Sequence, residues 1–306
     1  MKQGVQVIVP GSTANLGPGF DTVGMAFELY TKIRIEVSDE PKVVLYGDDL
    51  NGLPTDRSNL VYKMAEYLFE KAGLTLPPLR IQMRSEIPLT RGLGSSAAAI
   101  VGGLVAANYL AEEPFSKDEI FQMASHIEGH PDNVGASLFG GIVVAVMEDE
   151  QVPYIKIEPK SSLKALAVIP DFMLSTEKAR GVLPEKYSRK DTVFTLSHAG
   201  LLIASLASGR YDMLNSAMQD RVHQPYRTAL VPGMGTLLSK AHKYGALGTA
   251  LSGAGPTIIS LLEGNDERLK QFFVDTLLQN GIGSTTMSLV PDLHGARISE
   301  DIDTPF

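Results

Sequence analysis

The sequence has 306 residues, 44 % hydrophobic and 20 % charged, with a formal net charge of −8 and no cysteine. That length sets an expectation of two domains of ~150 residues each. The negative balance disfavours nucleic acid and anionic membranes as partners, the missing cysteines exclude disulfides, thiolate catalysis and cysteine-based zinc sites, and no apolar run reaches the ~18 residues needed to span a bilayer.

In chain order, Val5 to Val9 reads as a first strand ended by Pro10 and Gly11. Its apolar stretch is too short for a signal peptide, so a cytoplasmic protein is expected. The loop Pro10-Gly-Ser-Thr-Ala-Asn-Leu-Gly-Pro-Gly-Phe-Asp21 then holds Asn15 and Asp21 in place, or is simply an elaborate turn. Ile33, Ile35 and Val37 alternate with polar residues as in a strand. Ser58 is placed to cap a helix through Lys71, with Leu60, Val61, Met64, Ala65, Leu68 and Phe69 on one face and Gly73 at its stop. Leu79 to Met83 is another strand.

Pro88-Leu-Thr-Arg-Gly-Leu-Gly-Ser-Ser-Ala-Ala98 follows, running into an apolar stretch to Leu110. This reads as a strand, a glycine-rich loop and a helix without a polar face, which should therefore be buried. The first N–H groups of such a helix lack internal partners, and the macrodipole adds partial positive charge. Glycines let the backbone curl round an anion, and serine hydroxyls donate, so Gly92 to Ala97 can cradle a phosphate. A serine-capped, glycine-containing helix entry packed for structural reasons fits the same residues. It is neither a Walker A loop, whose lysine is missing, nor a dinucleotide fingerprint. A cradle without lysine leaves amides, the helix end and Mg²⁺ to neutralise a triphosphate, and Mg²⁺ needs only one or two protein oxygens. Ser96 and Glu128 are the candidates, with a solvated helix-terminal acid as the plainer reading of Glu128.

Ser116 and Glu119 form a capping box for a helix through His126. Glu128-Gly-His-Pro-Asp-Asn-Val-Gly-Ala-Ser137 reads as a turn that can present His130, Asp132 and Asn133 to a polar ligand. Gly140 to Met147 is a strand, and the break at Glu158–Ser162 suggests domains of 1–160 and 161–306. Leu163–Ile169 opens a second alternation, with helices near Thr192–Ala207, Tyr211–Gln219, Gly233–Lys243 and Asp266–Asn280 and strands near Thr257–Leu262 and Thr286–Leu289. Gly248-Thr-Ala-Leu-Ser-Gly-Ala-Gly-Pro-Thr257 is another loop suited to close approach of an anion, through Ser252, Gly253 and Gly255. The class is α+β.

These motifs, in this order, resemble the GHMP kinases, named for galactokinase, homoserine kinase, mevalonate kinase and phosphomevalonate kinase. Pro88 to Ala97 is similar to their phosphate loop, and Ser252-Gly-Ala-Gly-Pro256 to a third motif packed beside it. Ser12 to Asp21, Gly129-His-Pro-Asp-Asn-Val134, Ser175-Thr-Glu-Lys-Ala-Arg180 and Gln224-Pro-Tyr-Arg227 resemble the homoserine kinase branch.

The resemblance implies a ribosomal-protein-S5-like N-terminal domain, a ferredoxin-like C-terminal domain and a site between them. It implies a homodimer, ATP with Mg²⁺, and phosphorylation of L-homoserine to O-phospho-L-homoserine in threonine biosynthesis. It further implies ATP contacts from Asn59 near the adenine, from Pro88, Leu89, Thr90, Arg91, Gly92, Leu93, Gly94, Ser95, Ser96, Ala97 and Ala98, and from Ser252 and Gly253. Asn15, Asp21, His130, Asp132, Arg180 and Arg227 are the implied homoserine contacts, with Arg221 a rival to Arg227. A zwitterion suits them, its ammonium wanting Asp21 and its carboxylate a guanidinium fork.

Mevalonate kinase-like members carry an aspartate base where this sequence has Asn133. An amide accepts no proton at neutral pH, so no strong general base is expected, and Asn15 and Asn133 orient the hydroxyl instead. Two alternatives stand beside this reading. One is a kinase of the same fold acting on mevalonate or a sugar, and the other is a nucleotide-binding sensor without catalysis.

Overall fold

The computed structural model describes residues 1–149 and 151–299. The chain begins with a long hairpin, β1 (Gly4–Asn15) and β2 (Gly19–Val37), followed by β3 (Lys42–Tyr46), α1 (Leu60–Lys71) and β4 (Leu79–Ser85). Then come α2 (Ser95–Leu110), α3 (Lys117–Glu128), α4 (Asp132–Phe139), β5 (Ile142–Ala145) and β6 (Tyr154–Ile157). β1 does not stop at Pro10: it bulges between Pro10 and Gly11 and pairs with β2 as far as Asn15. A bulge is where a strand tolerates the missing N–H of proline.

Two sequence expectations are corrected here. Asn59, not Ser58, caps α1, accepting from Val61 N at 3.0 Å, while the Ser58 hydroxyl donates to Asp56. The segment expected to be a turn through Ser137 becomes α4 from Asp132 onward. A short helix fits there because Gly24 of β2 leaves room: a Cβ at that position would lie 2.0 Å from Asp132 O. The box of Ser116 and Glu119 forms as expected and starts α3.

α2 is buried almost throughout, as its small apolar sequence requires. Gly102 and Gly103 let it lie close against Ile33 of β2 and Met64 of α1. Val5, Val7 and Val9 of β1 and Ile33 and Ile35 of β2 are at most 1 % exposed and pack into the same core. Each fully buried aliphatic side chain of this kind stabilises by ~1.5–3 kcal/mol over an exposed one.

The second half contains β7 (Lys164–Pro170), α5 (Thr176–Gly181), α6 (Arg189–Ser208), α7 (Leu214–Ala217), α8 (Gln224–Arg227) and α9 (Met234–Lys240). It continues with β8 (Gly248–Leu251), β9 (Ile258–Leu262), α10 (Glu267–Gln279), β10 (Ser284–Leu289) and β11 (Arg297–Ser299). The expected helices at Tyr211–Gln219 and Gly233–Lys243 shorten to α7 and α9, each flanked by a 3₁₀ turn. Gly248 to Leu251 is a strand rather than loop, pairing with β9.

Described residues form two sheets. The first has order β11-β1-β2-β4-β3 with β5 joined to β2 and β6 to β5, and the second has order β10-β7-β9-β8. Numbered within the second half, that order is fourth, first, third, second, all antiparallel, which is the ferredoxin-like split βαβ arrangement. The change of sheet falls between β6 and β7, but the span 161–306 is not one continuous unit. Residues 291–299 return to the first sheet, where Arg297–Ser299 pairs with Gln6–Ile8. β7 is buried on both faces: Ala165, Ala167 and Ile169 join the first core, Leu166 and Val168 the second. This doubly buried strand couples the halves and leaves a cleft where β1, α2, α4, α5 and α8 meet.

Candidate active site

The Gly92-Leu-Gly-Ser-Ser stretch opens α2 on this cleft. Gly94 occupies the cap position in the left-handed region, φ 76°, and no side chain caps the helix. By contrast α1, α3 and α6 each have a side-chain cap. The leading N–H groups of α2 are thus left for an external acceptor, with the helix dipole behind them. Thr90, Gly92, Gly94, Ser95 and Ser96 line the cleft. Leu93, Ala97 and Ala98 are at most 1 % exposed and support the loop from beneath.

The Ser252–Thr257 segment braces that loop. Ser252 Oγ donates to Gly92 O at 2.6 Å, and Thr257 N donates to Arg91 O at 3.2 Å. The approach is so close that a Cβ on Gly92 would meet Ser252 O at 2.3 Å. Ser252 is fully buried and shapes the loop, while Gly253 reaches the cleft lining and Pro88, Leu89 and Arg91 lie outside it. Asn59 lies outside the lining. It is 2 % exposed, and its amide is engaged by Val61 N and Pro54 O.

Ser96 Oγ donates to Glu128 Oε2 at 3.0 Å, which brings a hydroxyl and a carboxylate from two helices to one edge of the cradle. Burial raises the Glu128 pKa, partly offset by His130 and the Ser96 bond. No group of three or more acidic or histidine side chains suited to a metal occurs among the described residues. Two hard oxygens beside a phosphate cradle fit Mg²⁺, which keeps waters and takes phosphate oxygens as ligands.

The opposite wall carries the acceptor candidates. Asn15, Asp21 and Thr90, all lining the cleft, hold left-handed φ values of 72°, 52° and 53°. Such angles cost non-glycine residues energy and persist only where surroundings impose them. Asn15 supplies part of that constraint: its Oδ1 accepts from Asp21 N and its Nδ2 donates to Gly253 O, each at 3.0 Å. Asn15 is 3 % exposed, so this amide is first a brace between the halves. Asp21 and Arg180 form a two-pronged ion pair at 2.8 and 2.9 Å, rather than standing apart.

Arg227 is 1 % exposed; its Nε donates to Ala179 O at 2.9 Å and its Nη1 to Gly253 O at 3.2 Å. Burial and then the Arg180 charge lower its pKa to about 10, so it stays cationic at neutral pH. Arg221 lies outside the cleft lining, bonded to Asp191 at 3.4 Å and stacked 3.9 Å from the Phe194 ring. Asp132 is buried and accepts from Asn133 N, with His130 Nδ1 3.0 Å from its Oδ1. For His130, burial lowers the pKa, but the Asp132 hydrogen bond and the Asp132, Glu128 and Asp21 charges together raise it. Ser12 Oγ donates to Asn133 Oδ1 at 3.0 Å, which turns the Asn133 amide nitrogen away from Ser12.

Phe20, Leu174, Ser175 and Thr176 also line the cleft, although the sequence motifs do not point to them as site residues. The signal for two of them was present, since Ser175 caps α5, the helix that carries Arg180.

Cleft and fold together define a class, the GHMP kinases: the family profile for the GHMP kinases N terminal domain matches residues 59–141, and that for the GHMP kinases C terminal matches 202–279. The homoserine kinase of Deinococcus radiodurans is 47 % identical over 95 % of this chain and 96 % of its own. That of Desulfitobacterium hafniense is 45 % identical over 96 % and 99 %. The crystal structure of homoserine kinase from Cytophaga hutchinsonii superposes with a TM-score of 0.87 at 28 % identity, covering 98 % of each chain. A mevalonate kinase structure, at 18 % identity and a TM-score of 0.68, shares the fold. The chain belongs to the homoserine kinase family of the GHMP kinases, a family of phosphotransferases.

Proposed function

We infer that the protein transfers the γ-phosphoryl group of ATP to the side-chain hydroxyl of L-homoserine, giving ADP and O-phospho-L-homoserine for threonine biosynthesis. One observation carries this reading. The uncapped N-terminus of α2 opens on the same cleft as two guanidinium groups and a carboxylate. The first feature suits a polyphosphate, and the second suits the carboxylate and ammonium of an amino acid. Neither mevalonate nor a sugar carries both charges.

In this proposal Gly92–Ser96 holds the triphosphate through main-chain donors and serine hydroxyls. Ser96 and Glu128 would hold Mg²⁺, which supplies neutralisation of phosphate charge. Arg227 and Arg180 take the homoserine carboxylate, and Asp21 takes its ammonium once Arg180 turns from Asp21 to the ligand. Asn133, oriented by Ser12, together with Asn15 directs the hydroxyl at the γ-phosphorus. A new O–P bond forms as the bond to the β,γ-bridging oxygen breaks, the hydroxyl proton departs late by way of the transferred phosphoryl oxygens to solvent, and ADP leaves. Asp132 uses Oδ1 for both Asn133 N and His130, and the path proposed here needs no strong general base. Phosphoryl transfer tolerates this, because its loose transition state depends mainly on positioning and charge. We also propose a homodimer in the cytoplasm, on the family relationship; no helix among the described residues is long and apolar enough to cross a membrane.

A coupled assay for ADP release with L-homoserine, mevalonate and galactose as acceptors tests the reading. Only homoserine should support turnover. ADP release with mevalonate or galactose instead would replace the acceptor, and ATP binding without ADP release under any acceptor would favour a sensor.

A further inference from the structure

One buried titratable group beside the cleft has no part in the chemistry above. His223 is fully buried immediately before α8. Its Nε2 lies 2.7 Å from Gly17 O, and its Nδ1 lies 3.2 Å from Arg227 Nη1. A carbonyl only accepts and a guanidinium only donates, so both roles are fixed. Nε2 carries the proton and Nδ1 presents a lone pair. Only the neutral imidazole satisfies both neighbours, and burial together with the Arg227 charge favours it over the nearby Asp220.

We propose that His223 is a positioning residue for the amino-acid carboxylate clamp: it hands Arg227 an acceptor at a set place and ties that guanidinium to the Leu16–Gly17 turn of the β1–β2 hairpin.

Three further features support this role. The backbone that carries the imidazole is fixed, because Asp220 accepts from the N–H groups of Val222, His223 and Gln224, and Asp220 Oδ2 also lies 3.5 Å from His223 Nε2. The turn it grips is wedged against the second half, since a Cβ on Gly17 would meet Met218 O at 2.2 Å. Phe20 stacks on His223 with ring centroids 4.9 Å apart, and the Arg180 and Arg227 guanidinium carbons lie 5.5 and 5.4 Å from the Phe20 ring centre. His223 and Phe20 thus form a wall against which the cation pair is registered. Arg227 has two other acceptors, Ala179 O and Gly253 O, so loss of His223 shifts the guanidinium rather than stranding it.

The proposal rests on the homoserine kinase reading, and the experiment separates the two. Turnover of L-homoserine by the unaltered protein tests that reading. H223F keeps the ring stack but removes the lone pair and the donor, and H223N keeps an acceptor near the Nδ1 position. Steady-state kinetics should show the homoserine KM of H223F rising roughly tenfold, about 1.4 kcal/mol, with the ATP KM and kcat little changed and H223N intermediate. With 3-amino-1-propanol, which lacks the carboxylate, the penalty on kcat/KM should fall below about twofold, because the clamp is unused. An unchanged homoserine KM, an equal penalty for both acceptors, or a parallel rise in the ATP KM overturns the proposal. Should H223F not fold, H223N decides alone: a homoserine KM raised with the ATP KM unchanged supports the role, and equal changes in both refute it.

Discussion

At the scale of single residues, charge pairs dominate the acceptor wall. His130 shows how they link to pH. Its pKa is raised in the folded protein because the Asp132 bond and the neighbouring carboxylates outweigh desolvation. A raised base is stabilising in its protonated form. That contribution is complete below the ordinary value of 6.5 and disappears as pH climbs through the higher native value. H130N should therefore destabilise the protein more at roughly pH 6 than at roughly pH 9. Denaturant unfolding at both pH values measures this, and a gap that is constant or grows with pH would contradict it. The sequence drew attention to Asp21, His130 and Asp132 through turn-rich motifs and to Arg180 and Arg227 through the family resemblance, and all five line the cleft. It did not reveal their mutual pairing. Asp21 and Arg180 lie 159 positions apart, and nothing local declares that they meet.

At the scale of elements, the entry to α2 is the most demanding piece of backbone. Gly94 has φ 76°, and a Cβ there would lie 2.2 Å from Ser12 Oγ. G94A carries about 1–2 kcal/mol of left-handed strain before that clash is counted. It should raise the ATP KM by roughly tenfold or more while the homoserine KM moves less, as initial-rate kinetics would show. An unaltered ATP KM would mean that the loop does not hold the nucleotide. α2 was legible because small apolar residues behind a Gly-Ser loop admit few other structures. α4 was not, because His130-Pro-Asp-Asn133 carries turn chemistry and an eight-residue helix has little intrinsic stability. The notch at Gly24 and contact with β1 and β2 make it a helix. β1 was likewise read too short, since Pro10 and Gly11 look like a terminator where the sheet places a bulge.

At the scale of the whole molecule, the chain crosses from the first sheet to the second and comes back. Asp292 fastens the return. It is 2 % exposed and accepts from Tyr30 Oη, His294 N, Gly295 N and Arg297 Nη1. β11 then pairs with Gln6–Ile8, the end of β1 remote from Asn15. D292A strands these donors and should lower unfolding stability by about 2–4 kcal/mol with kcat nearly unchanged. Chemical denaturation alongside the ADP assay checks both, and an unchanged midpoint would show that the return segment adds no stability.

Periodicity and loop chemistry sufficed for the α+β class and for a lysine-free Gly-Ser loop at a helix entry, because glycine, serine and apolar spacing act over a few residues and the backbone answers to them locally; the kinase reading came from the resemblance of the motif order to the GHMP kinases. Tertiary structure alone decided that Arg227 is buried, that Asn15 braces Gly253, that His223 sits buried between Gly17 O and Arg227 and that the C-terminal segment rejoins the first sheet. Each of these depends on which distant groups share a low-dielectric space, and the partners of a buried charge or amide are settled only when the two halves close on one another.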